Sequence, residues 1–131
     1  MMTYLENGWF EPDGEQKLRS DVIDGAMDVA GMMIRAEVGA ELMHSLALKV
    51  RTSLTAIDPQ MKGNSDFSSK ASQVVSQRLE GQTEQIPELH AFVADCLDHV
   101  QNPRDLIGFY LHLMHIGRMI QLLSQATALK S

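Results

Sequence analysis

A chain of 131 residues, 44% hydrophobic and 21% charged, has the size and composition of one domain with one core. Its 17 acidic and 11 basic residues leave a net charge of −6, and no basic cluster interleaved with aromatics stands out, which argues against a general nucleic-acid surface. The single cysteine, Cys96, excludes an intrachain disulfide and fits a reducing compartment.

The opening MMTYLENGWFEPDG carries neither a basic nor an apolar leader region, so a cytoplasmic location is expected. Within it, Asn7-Gly8 could close a small hairpin. A lone hairpin is marginal in water, and residues 1–12 read better as an arm pinned to the domain through Trp9 and Phe10. From residue 13 to 131 the periodicity is helical nearly throughout, and no strand-length stretch alternates cleanly. The expected fold class is all-α: a small bundle of four to five helices behind a short N-terminal arm.

Helical pattern begins after Pro12, where Asp13 and Gln16 have the spacing of a capping box. Leu18, Val22, Ala26, Val29 and Met33 line one face, and Leu42, Leu46, Val50, Leu54 and Ile57 line a second, roughly 100° away on a helical wheel. Residues 14–57 are therefore either one helix with two neighbours or two helices with a break near Gly39, and we favour the break. Asp58-Pro59 ends the segment. Ser65 or Asp66 can cap a helix over about 66–80, with Phe67, Ala71, Val74, Val75 and Leu79 on one face and Gly81 as its stop. Pro87 suits the first position of a helix over about 87–101, along which Leu89, Phe92, Val93, Cys96, Leu97 and Val100 recur. Asn102 then caps a last helix over about 103–128, with Pro103 first and Asp105 where the dipole favours an acid.

That last helix is unusually apolar. Leu106, Phe109, Leu113, Ile116 and Ile120 make its main stripe, while Leu111, Met114, Met119, Leu122 and Ala126 lie outside it. Polar interruptions at His112, His115, Arg118, Gln121 and Gln125 make a membrane span unfavourable. A helix apolar on most sides is central in its bundle or covered by a second molecule.

Several constellations suggest chemistry. Cys96, His99, His112 and His115 follow a zinc-like order. In a hairpin turning at Asn102-Pro103, however, His99 and His112 stand roughly 9 Å apart along the axes, too far for one ion. His112 and His115 alone are the weak metal candidates, as a pair shared between subunits, and in an interface their charge change near pH 6.5 would make association pH-sensitive. Glu41-x-x-His44 is half of a di-iron signature whose other half does not occur. Asp21, Asp24 and Asp28 share a face, where the simplest reading is a solvated surface. No nucleophile elbow or phosphate loop occurs, so neither a catalytic site nor a cofactor is expected.

The expected function is therefore non-catalytic: a small acidic regulator, chaperone-like or neutralising protein that binds another protein through an apolar helical surface, as a homodimer. The expected contact residues are Leu111, His112, Met114, His115, Arg118, Met119 and Leu122. The alternatives are a helical metal- or small-ligand-binding protein and, more weakly, a dimeric DNA-binding regulator. Neither nucleic acid nor membrane is an expected partner.

Overall fold

Trp9 decides where the helices begin. The computed structural model describes residues 5–6, 8–12, 17–57 and 64–130, with the side chains of 64–66 and 126–130 outside the description. Among the described residues the fold is all-α, with five helices: α1 (Ser20–Arg35), α2 (Ala40–Ala56), α3 (Asn64–Leu79), α4 (Pro87–Leu97) and α5 (Pro103–Lys130). Trp9 is 1% exposed. Its ring lies 5.9 Å from Phe109, and its indole N–H donates to the His99 carbonyl at 3.0 Å. A Cβ on Gly108 would sit 2.7 Å from the Trp9 Cβ, so α5 carries glycine where the arm crosses it.

The arm then folds back on itself. The Glu11 N–H donates to Lys17 O at 2.8 Å and the Arg19 N–H to Trp9 O at 3.0 Å, with an antiparallel bridge between Phe10 and Leu18. This pairing holds residues 17–19 out of the helix, and α1 starts at Ser20 rather than near 14. Local apolar spacing could not register that, because Leu18 keeps the right period while belonging to the arm. The Glu11 carboxylate accepts from the Ser20 N–H at 3.3 Å, supplying the negative charge that a helix start favours. The Asp13–Gln16 pair, Asn7 and Asp58-Pro59 lie outside the described residues.

α1 and α2 are separate helices, divided at residues 36–39. The Val38 N–H closes the end of α1 on Met33 O at 2.8 Å. The left-handed residue there is Glu37, at φ 65, while Gly39 has φ −89 and is the N-cap of α2. The glycine marks the break without making its turn. α2 runs antiparallel to α5: a Cβ at Gly117 would touch His44, and the Arg51 guanidinium covers the Tyr110 ring at 5.3 Å. α3 lies along α2, where Arg78 donates to the Thr52 hydroxyl at 3.0 Å and Lys49 donates to Gln82 just beyond α3. At the start of α5 the Asp105 N–H donates to the Asn102 side chain at 2.9 Å. The Asp105 carboxylate accepts in return from the Gln101 N–H at 3.0 Å.

The core sits on the main stripe of α5. Leu106, Phe109, Leu113 and Ile116 are fully buried and Ile120 is 3% exposed, packed with Val22, Ala26 and Met33 of α1, Met43, Leu46 and Val50 of α2, and Leu89 and Phe92 of α4. Burying each such large side chain stabilises the fold by roughly 1.5–3 kcal/mol. α5 is also long and apolar enough, by length and composition alone, to cross a membrane; 44% of its most apolar stretch is buried within the bundle.

Candidate functional site: a groove along the last helix

The side of α5 turned away from the core forms the floor of an open groove. One cavity of about 460 Å³ is lined by Leu111, Met114, His115, Arg118 and Gln121 of α5, with Leu18 of the arm and His44 of α2. A second, of about 480 Å³, continues from Gln121 to Gln125 and is bounded by Ile34 and the 37–40 corner. Gln121 lines both. From Leu111 to Gln125 the floor spans roughly 21 Å at 1.5 Å per residue, about four helical turns.

His44 is seated against the α5 backbone. A Cβ at Gly117 would lie 2.6 Å from its Cδ2 and Nε2 atoms, so the imidazole occupies space that any other residue at 117 would fill. Glycine in a helix interior costs about 1 kcal/mol relative to alanine. At Gly117 that cost is offset by the close approach of α2 to α5. Glycines at 108 and 117 thus mark where Trp9 and His44 come close to the backbone of α5. The contribution of His44 and Leu18 to the groove was not evident in the sequence, because both lie far from α5 along the chain.

Four of the expected contact residues, Leu111, Met114, His115 and Arg118, come together in this groove. Leu122, one turn beyond Arg118, is 49% exposed. Met119 lies on the other flank, partly buried and packed against the core.

His112 must be removed from the set. It is fully buried, with its ring 5.8 Å from Trp9 and 5.7 Å from Phe92. Burial, with His115 nearby as a smaller cause, pushes its pKa down to about 3. It is neutral through the physiological range, cannot touch a docked partner, and takes no part in a pH switch near 6.5. The arm explains the difference: Trp9 covers the flank of α5 that the helix's own pattern leaves open.

The metal readings separate in the same way. His112 faces the core and His115 the groove. Cys96 is a buried thiol whose pKa is raised by desolvation and by the Asp95 carboxylate. His99 engages the Asp95 carbonyl through Nδ1 at 2.9 Å. Among the described residues no group of three or more His, Cys, Asp or Glu side chains could hold a metal ion.

No protein-family model, curated protein or solved structure matches this chain.

Arg118 is exposed and makes no ion pair among the described residues. The cavity around it holds two imidazoles and apolar side chains, and no carboxylate. Around Met114 the groove offers an apolar floor with a cation, and Glu37 lines the cavity beyond Gln121.

Proposed function

We propose that this protein is a non-catalytic interaction module that docks an amphipathic helix of another protein into the groove along α5, acting in the cytoplasm as a small acidic regulator or chaperone. The observation that carries this reading is the convergence of Leu111, Met114, His115 and Arg118 with Leu18 and His44 around one open cavity. A helix laid in such a groove reads it through anchors three, four and seven residues apart, and the floor is long enough for that spacing. An open trough fits a helix better than a small molecule, which needs most of its surface enclosed.

The test is affinity capture from the source cell with Met114→Lys beside the wild type. Leu48→Lys, on an exposed site of α2 outside the groove, is the control. The proposal expects partners captured by the wild type and by Leu48→Lys to be lost with Met114→Lys while its helical circular-dichroism spectrum is unchanged. Equal capture by all three proteins would overturn it.

A further inference from the structure

We propose that the groove along α5 is filled, in the protein on its own, by α1 of a second copy, so that two chains close into a symmetric dimer. This rests on the groove being a helix-docking site and names its resident occupant.

α1 carries an exposed apolar stripe in addition to its buried face. Ile23 is 38% exposed, Met27 48% and Ile34 38%. On a helical wheel this stripe is rotated by roughly 110° from the buried stripe of Val22, Ala26, Val29 and Met33. That is close to the corner angle of a helix that packs on one neighbour and turns its other face to the next in a four-helix ring. Asp24 and Asp28 flank the stripe and are exposed.

The α5 groove is long enough to take this stripe, and its half around Met114 is complementary in charge. The stripe from Ile23 to Ile34 spans roughly 16 Å and fits within the roughly 21 Å of groove floor from Leu111 to Gln125. Arg118 is the one formal charge in the cavity around Met114, and neither it nor Asp24 nor Asp28 has an ion-pair partner among the described residues. Setting α1 in the groove brings the carboxylates toward the guanidinium as Ile23, Met27 and Ile34 cover Leu111, Met114 and Leu122.

The two surfaces are also contiguous, as a two-fold interface requires. Leu18, just ahead of α1, lines the groove at one end, and Ile34, the last residue of the stripe, lines it at the other. α1 therefore runs along the groove's edge. In a symmetric pair, each α1 lies on its own α5 by its buried face and on the other copy's α5 by its stripe, so both grooves fill and the assembly closes.

Charge exchange tests this. Sedimentation equilibrium should find the wild type dimeric. Arg118→Glu alone, and Asp24→Arg with Asp28→Arg, should each raise the dimer dissociation constant at least about tenfold, since like charges then meet across the interface. All three side chains are exposed, so folding should not change. Mixing the two variants should restore a one-to-one heterodimer. One of its interfaces sets the Arg118→Glu carboxylate against the guanidinium groups of Asp24→Arg and Asp28→Arg, and the other keeps the original pairing. A monomeric wild type, variants that dimerise like the wild type, or a mixture that fails to reassociate would each overturn the dimer. The groove's role for other proteins is read separately: loss of capture with Met114→Lys from a monomeric wild type would sink only the second copy. An intact dimer with capture unaffected by Met114→Lys would sink only the other partner.

Discussion

His112 ties the stability of this fold to pH in a way a single substitution can isolate. Its folded pKa is about 3, against an ordinary 6.5. Above pH 6.5 neither the folded nor the unfolded chain holds a proton on this ring. Between 6.5 and 3 the unfolded chain takes one and the folded chain refuses it. Stability from this group is therefore present above the unfolded pKa and is lost as pH falls, by about 1.4 kcal/mol per pH unit for one proton. At pH 5 the loss is about 2 kcal/mol, a large fraction of a small domain's margin. His112→Leu removes the titration while keeping an apolar side chain of similar size between Trp9 and Phe92, at a cost of roughly 1 kcal/mol at neutral pH. Urea denaturation of both proteins from pH 7 to pH 4 measures the difference. The variant should start less stable and become the more stable protein near pH 5. If the two stability curves stay parallel over that range, His112 is not buried as a neutral ring.

Other expectations follow from the same contacts. Gly108→Ala should destabilise by roughly 1–3 kcal/mol through overpacking against Trp9, despite better helix propensity, and the emission of this single tryptophan should shift to longer wavelength as the arm lifts. Gly117→Ala should be unfavourable while His44 is present, and most of that penalty should vanish in a His44→Ala background, where only the Met43 Cβ at 3.3 Å still crowds the new methyl; denaturation of the four proteins of that cycle gives the coupling. Asn102→Ala should cost about 1 kcal/mol by removing the cap of α5, read as a lower urea midpoint with an unchanged slope. Cys96 should react with a thiol reagent only as fast as the fold opens, since burial keeps it both covered and protonated.

The helices were legible because each carries its own period. Every stripe residue of α5, and Val22, Ala26, Val29 and Met33 of α1, is buried, and Asn102, Pro103 and Asp105 announce the start of α5. The start of α1 was not legible, because the bridge between Phe10 and Leu18 is a pairing across the arm and leaves no periodic trace. Nor was the burial of His112. Two histidines three apart look equivalent on an isolated helix, and only the Trp9 arm, more than a hundred residues away in the chain, puts one in the core and leaves the other at the groove. His44 escaped for the same reason: its place depends on the absence of a side chain at Gly117.

The central claim is that a helix lies along the outward face of α5. A photo-crosslinking side chain placed at Leu122, with a second placed at Leu48 for comparison, reports directly what covers each position. The account predicts a product at 122 joined to an acidic, apolar helix, which in purified protein is residues 20–35 of the second copy, and no product at 48. Absence of any product at 122, or equal products at both positions, would contradict it.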